Sequence, residues 1–397
     1  MAILYPFSTI TRYCLFLLLF AGATRVIAQP YQNGHISVTF TDSARSNRSV
    51  PVELYYPADV AGDNVPFAAG LSSAPVIAFG HGFVMTYDAY FNVRDAVVSQ
   101  GYIIAFPTTE GSLSPSHQEF GVDLAFVLQR IQALGGTTGS VLFGKVDTFH
   151  CVMGHSMGGG AAFLAAAADP GIKAIATLAP AETSPSAIAA ASGITAPALV
   201  FAGANDCVTP PADHQLPMYN ALVSSCKKYI SITGGSHCQM AESSFTCSIG
   251  ESSCTPQPAI TRPQQHAVID AYLVPWLDHQ LKSSCVQGAL FDSALAADPA
   301  ITYLGNCVLC PSLSLAEQPV ADAAVAYPNP CGAYLQLKLP YSGPAQIRIC
   351  SIDGREVAAQ TFAGGQPIAV SQLAPGVYFY EVGAPAMAVF RGSFVKR

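Results

Sequence analysis

Charge is scarce in this chain. Of 397 residues only 11% are Asp, Glu, Lys or Arg, against 51% hydrophobic. The 18 Lys and Arg residues are nowhere clustered and the net charge is −7, so the basic footprint of nucleic-acid binding is missing. Internal repeats do not stand out, and no run of apolar residues is long enough to span a bilayer comfortably. The longest such run, Tyr13 to Ala23, follows Arg12 and precedes the small residues around Val26-Ile27-Ala28. That pattern is expected to be an export signal over residues 1–28, cut after Ala28. What the chain has instead of charge is apolar material for a sizeable core, and length for one large domain plus a smaller one.

Twelve cysteines suit an exported protein. Cys14 would leave with the signal, so the remaining eleven cannot all pair. Cys151 is the residue expected to stay free, because it lies in an apolar strand where a thiol acts as a small hydrophobe.

From Ile36 to about Leu281 short β-rich runs alternate with helical stretches. Pro75–Phe79, Tyr102–Phe106, Phe149–Met153, Ile172–Leu178, Pro197–Ala202 and Tyr229–Thr233 read as buried strands. Tyr90–Gln100, Phe120–Leu134, Ala161–Ala168 and a final His266–Lys282 read as helices. Such alternation predicts an α/β domain over residues 29–310, its mostly parallel sheet covered on both faces. A Pro- and Ala-rich linker is expected over 311–326. Beyond it, Tyr334–Leu339, Ala345–Ser351, Val377–Val382 and Ala388–Phe394 read as short strands, with Asp353-Gly354 as a hairpin turn. A small β-sandwich over 327–397 follows.

Chemistry concentrates at Gly154-His155-Ser156-Met157-Gly158-Gly159-Gly160. An apolar run enters Gly-x-Ser-x-Gly and a small-residue run leaves it, which reads as strand, sharp turn and helix. This is the nucleophile elbow of α/β-hydrolases, with Ser156 as nucleophile. A serine needs a base, and the base an acid that orients it. Asp206 directly follows one predicted strand and His237 another, in the order Ser, acid, His that this fold requires. Glu182, Asp213, His155, His214, His266 and His279 are less well placed rivals. Cys207 follows Asp206 and Cys238 follows His237, so a Cys207–Cys238 disulfide is expected to tether the two loops. A metal site on these four residues is disfavoured, because their spacing is not that of a zinc motif. Oxyanion donors are expected from the N–H groups of Met157 and of Phe83, in the glycine-rich turn Gly80-His81-Gly82-Phe83. His81 is read as holding that turn. No metal or cofactor is required.

With these residues in place the chain resembles secreted bacterial polyester hydrolases of the cutinase and poly(ethylene terephthalate) hydrolase group, and related dienelactone-hydrolase-like lipases. The resemblance rests on the elbow, on Gly203-Ala204-Asn205-Asp206, on Gly234-Gly235-Ser236-His237 and on Gly82-Phe83. It implies an α/β-hydrolase that cleaves ester or polyester substrates as a monomer, with Phe83, Met157 and Val208 as apolar neighbours of the substrate and a Cys285–Cys307 disulfide. Proximity alone suggests Cys247–Cys254. Departures are Phe83 where Tyr is common, and a loop Ala179–Ser184 without the usual aromatic ring. A lipase or carboxylesterase, a peptidase or amidase, and a non-catalytic surface protein on the same scaffold remain open readings. The tail resembles the sorting domain of the type-nine secretion system of Bacteroidota, on Tyr327-Pro328-Asn329-Pro330, Asp353-Gly354-Arg355 and Leu373–Phe379. This implies engagement of that secretion machinery, passage across the outer membrane and a secreted or cell-surface location, with removal of the tail. A carbohydrate- or surface-binding sandwich is the alternative there.

Overall fold

The computed structural model describes residues 31–310, 325–338, 343–351, 355–363, 365–383 and 390–397. The expected signal, residues 311–324 of the expected linker and the Asp353-Gly354 turn lie outside the described residues. The chain divides into two compact units, with the boundary after residue 311.

The first unit begins with an antiparallel hairpin, β1 (Gln32–Asp42) and β2 (Arg48–Ala58), followed by a two-residue β3 (Gly62–Asp63). Then come β4 (Ala74–Gly80), α1 (Phe91–Val98), β5 (Ile103–Pro107), α2 (His117–Gly135), β6 (Val146–His155) and α3 (Met157–Ala168). β7 (Ala174–Leu178), α4 (Ala187–Ala191), β8 (Ala198–Gly203), α5 (Gln215–Ala221) and β9 (Lys227–Ile232) continue the alternation. The unit closes with α6 (Phe245–Glu251), α7 (Arg262–Lys282), α8 (Cys285–Ala297) and β10 (Ile301–Gly305). Ten strands form one sheet in the order β10-β9-β8-β7-β6-β4-β5-β2-β1-β3, parallel from β5 through β9. This is an α/β-hydrolase fold.

The central strands are uniformly apolar because both faces are covered, so their sequences show no alternation. In β4, Val76 and Ala78 belong to the core beneath α2 and α3, while Ile77 and Phe79 belong to the core beneath α1 and α7. Helix starts follow from their caps. The Ser116 hydroxyl accepts the Glu119 N–H at α2, and Thr261 with Gln264 forms a capping box at α7. The sequence expectation of a final helix at Lys282 is corrected: Ser283 turns into the left-handed region (φ 55°) and Ser284 caps a further helix, α8. β10 then pairs antiparallel with β9.

In the second unit, β11 (Val325–Tyr327), β12 (Tyr334–Lys338) and β15 (Ile368–Ala369) make a three-stranded sheet. β13 (Pro344–Ser351), β14 (Glu356–Ala363), β16 (Gly376–Gly383) and β17 (Phe390–Lys396) make a four-stranded antiparallel one. Leu335 and Leu337 from the first sheet share one core with Ile347, Ile349 and Tyr380 from the second. β11 starts two residues inside the stretch expected to be linker. Among the described residues, no helix is long and apolar enough to cross a membrane.

A cluster of charges clasps the N-terminal hairpin to α2. Asp123, fully buried, receives Arg48 Nη2 at 2.7 Å and Arg45 Nη2 at 2.6 Å. Asp42, Glu110 and Glu119 bring three further carboxylates to the two guanidinium groups. Removing the buried carboxylate strips several charge-assisted hydrogen bonds at once, and losses of this kind cost about 3–5 kcal/mol. Asp123→Ala is therefore expected to lower the melting temperature by roughly 10 °C, read by calorimetry.

Candidate active site

β6 delivers Ser156 into a backbone conformation that a non-glycine residue rarely adopts, φ 54° and ψ −121°. The crowding around it explains the glycines. A Cβ on Gly154 would stand 2.3 Å from the Gly158 carbonyl oxygen, and one on Gly158 would stand 2.1 Å from that of Gly80. Only residues without a Cβ let the turn close. α3 begins immediately after Ser156, so the Met157 N–H is one of the first-turn donors that lack an intrahelical partner.

The candidate acid Asp206 and candidate base His237 follow the ends of β8 and β9. Asp206 Oδ2 accepts from His237 Nδ1 at 2.8 Å and from the Thr209 hydroxyl at 2.9 Å. Its Oδ1 accepts the backbone N–H groups of Val208 (2.9 Å) and Thr209 (2.8 Å). Both residues are buried, Asp206 4% and His237 2% exposed, so the pair is shielded from water. Gln215 donates to Thr209 Oγ1 and to the Pro180 carbonyl, fixing the threonine that holds the carboxylate. From α7, buried Gln265 clamps the base loop, accepting the Ser236 N–H and donating to the Ser236 carbonyl.

The base loop meets the elbow through His155. The rings of His155 and His237 are 4.6 Å apart between centroids, and His155 Nε2 donates to the His237 carbonyl at 3.2 Å. The Ser156 hydroxyl makes no hydrogen bond among the described residues, a contact that in free hydrolases often tightens only with substrate. On the other side of the elbow is the turn Gly80–Phe83. His81 contacts the carbonyls of Gly82 and Thr109, and the Gly82 N–H donates to the Tyr90 hydroxyl.

Of the other expected site residues, Phe83 and Val208 are partly open, 49% and 38% exposed. The Met157 side chain departs from expectation: it is 4% exposed and packs into the core under α3. Its side chain therefore offers no open wall. Three of the rivals are engaged in structural contacts. Glu182 caps α4 by accepting the Ile188 N–H, His214 accepts the Glu182 N–H, and His266 contacts the Ala241 carbonyl. Among the described residues no cluster of His, Cys, Asp and Glu could hold a metal.

The cysteines pair differently from expectation. Cys207 bonds Cys254 and Cys238 bonds Cys247, in place of Cys207–Cys238 and Cys247–Cys254. Cys285 bonds Cys310 and Cys226 bonds Cys307, in place of Cys285–Cys307. The reason is the stretch from Cys238 to Ile260. It carries α6, whose Cys247 bonds Cys238 of the base loop, and three residues past the helix Cys254, which bonds Cys207 of the acid loop. Glu251 reinforces it by accepting the Cys238 N–H, and Thr246 donates to the Val84 carbonyl beside the Phe83 turn. Cys151 is free and buried as expected, as is Cys331, while Cys350 is free and partly exposed.

Comparison with known proteins points the same way. A model of PET hydrolase-like proteins matches residues 33–254, and one of secretion-system C-terminal sorting domains matches residues 325–391. The chain is similar to cutinase 1 of Thermobifida cellulosilytica, 28% identical over 41% of this chain and 59% of that protein. It is likewise similar to a bis(hydroxyethyl) terephthalate hydrolase of Streptomyces coelicolor, 28% identical over 46% of this chain and 54% of that protein. The chain thus spans a little over half the length of these relatives. The sorting domain marks the protein for export by the type-nine route and a secreted or cell-surface location.

Two outcomes test the site's construction. Cys207→Ser with Cys254→Ser removes a staple closing a 47-residue separation and is expected to cost about 2–4 kcal/mol, a loss of roughly 5–15 °C in melting temperature. Burial holds His155 well below its ordinary value of 6.5, and nearby His237 adds to this. The unfolded chain then binds the extra proton first, so stability falls with pH below about 6.5, by up to ~1.4 kcal/mol per unit from this residue. His155→Gln is expected to flatten that slope in denaturant titrations between pH 4.5 and 6.5.

Proposed function

Because the chain belongs to the PET hydrolase-like family, we propose that it is an exported serine ester hydrolase of the polyester-cleaving class. The observation that carries this reading is the buried Asp206–His237 hydrogen bond, together with a serine in elbow geometry whose neighbour His155 donates to the His237 carbonyl. Ser156 Oγ attacks the ester carbonyl carbon and its proton passes to His237 Nε2. Asp206, hydrogen-bonded to Nδ1, fixes the ring orientation and favours the charged imidazolium. The N–H groups of Met157 and Phe83 receive the oxyanion. As the tetrahedral intermediate collapses, the carbon–oxygen bond to the alcohol breaks and the alcohol leaves with the proton from His237. Water, deprotonated by the same imidazole, then cleaves the acyl-enzyme and regenerates Ser156.

Apolar surface supports a hydrophobic ester over a soluble peptide. Phe83 and Val208 are exposed beside the turn and the acid loop, and α6 adds Phe245, 81% exposed, next to the Thr246 that reaches Val84. One feature favours aliphatic over aromatic acyl groups: Ala179 to Thr183, which follow β7, offer no ring to stack on an aromatic unit.

Ser156→Ala is expected to lower kcat on p-nitrophenyl butyrate by a factor on the order of 10⁴ or more, with the fold intact by circular dichroism. Retained turnover would exclude the serine mechanism. Parallel assays on aliphatic polyester and poly(ethylene terephthalate) films should release product faster from the former.

A further inference from the structure

Two buried side chains near the site take no part in the chemistry above, yet they link three of its segments. The Tyr90 hydroxyl, at the start of α1, accepts the Gly82 N–H at 2.7 Å and lies 3.0 Å from His155 Nδ1. His155 Nε2 lies 3.2 Å from the His237 carbonyl. Both ring residues are fully buried. Gly82 is glycine where these groups converge: a Cβ there would stand 3.0 Å from the Tyr90 oxygen and 3.2 Å from His155 Nδ1.

The two ends of this chain fix its direction. The Gly82 N–H can only donate, and the His237 carbonyl can only accept. The tyrosine oxygen, having accepted from Gly82, uses its single proton toward His155 Nδ1, the alternative being the thioether of Met85 at 3.2 Å. A nitrogen lone pair facing the His237 carbonyl would be repulsive, so Nε2 carries the imidazole proton. Of the two neutral tautomers, only Nε2–H satisfies both ends, and burial disfavours the charged ring.

We propose that Tyr90 and His155 are positioning residues, a directed hydrogen-bond chain that keeps the oxyanion turn and the base loop in register about Ser156. The proposal rests on the ester-hydrolase reading. The turn bearing Phe83 hangs from Tyr90 through Gly82, and the backbone of His237 hangs from His155, the residue directly before the nucleophile. Loosening either link shifts an oxyanion donor or the base relative to Ser156 while leaving the apolar surface intact. The loss therefore falls on the transition state. Neutrality also matters: His237 becomes cationic when it takes the serine proton, and a charged ring 4.6 Å away would oppose it.

The test uses the full chain. Tyr90→Phe and His155→Phe are each expected to lower kcat on p-nitrophenyl acetate about 10- to 100-fold with KM changed less than about twofold. The double variant should be no worse than either single one, since one chain is broken in all three. His155→Gln, which keeps a donor toward His237, should recover part of the loss. Additive losses, or a lowered melting temperature with unchanged kcat, would overturn the proposal. On the unsubstituted protein, ring-nitrogen NMR should find His155 as the Nε2–H tautomer throughout pH 5 to 8, and as a mixture in Tyr90→Phe. The Nδ1–H form, or protonation within that range, would overturn it as well. An inactive parent protein would instead count against the hydrolase reading, and the tautomer would still test the hydrogen-bond chain.

Discussion

Where β6 gives way to α3, the backbone of Gly158 packs directly on that of Gly80, and Ser156, two residues before Gly158, is held at positive φ. The conformation is intrinsically unfavourable, on the order of 1–3 kcal/mol, and persists because the surrounding sheet over-determines it. Ser156 N–H bonds to the Leu178 carbonyl on β7, while the Ser156 carbonyl accepts from Gly160 and Ala181. The same contact that sets the serine also sets the first N–H of α3 and the turn after β4. The placements of Ser156 and of the proposed oxyanion donors are thus tied to one close approach between two glycines.

The acid and base are held by different means, in loops that the sheet positions only at their roots. Gly203 lies so close to the Gly235 backbone that a Cβ would be 2.8 Å from it, and Asn205 N–H bonds to the Gly235 carbonyl. Beyond that contact, polar side chains take over. Thr209 and Gln215 support the carboxylate, Gln265 fixes the base loop, and the stretch from Cys247 in α6 to Cys254 braces both loops through separate disulfides. Burial makes these contacts effective, because in a dry interior each unsatisfied polar atom is costly and each geometry correspondingly well defined.

This division explains what the amino-acid order made legible. The central strands were readable because burial on both faces leaves uninterrupted apolar runs. The elbow was readable because backbone collision permits little but glycine at Gly154 and Gly158. Asp206 and His237 were readable from their places just past strand ends. Thr209, Gln215, Gln265 and Tyr90 were not. Their partners lie at the site only after folding, and no local pattern separates them from ordinary interior polar residues. β10, an edge strand exposed after its first residue, lacks an apolar signature, and α8 has an Ala-rich sequence without a strong stripe. The disulfide pairing failed for a geometric reason: adjacency to Asp206 and His237 said which cysteines lie near the site, while α6 decided whom they meet.

That connectivity has a consequence for biogenesis. Cys207–Cys254 and Cys226–Cys307 interlock along the chain, neither nested inside the other, and Cys285–Cys310 skips over Cys307. Among the described pairs, Cys238–Cys247 alone joins consecutive cysteines. A polypeptide emerging amino-terminus first into an oxidising compartment, and bonded in order of arrival, would trap mostly wrong partners. Reaching the native set requires either that oxidation wait for β10 to dock, or that an isomerase exchange the early bonds by thiolate attack. Maturation of this protein is therefore tied to the thiol chemistry of its host's envelope.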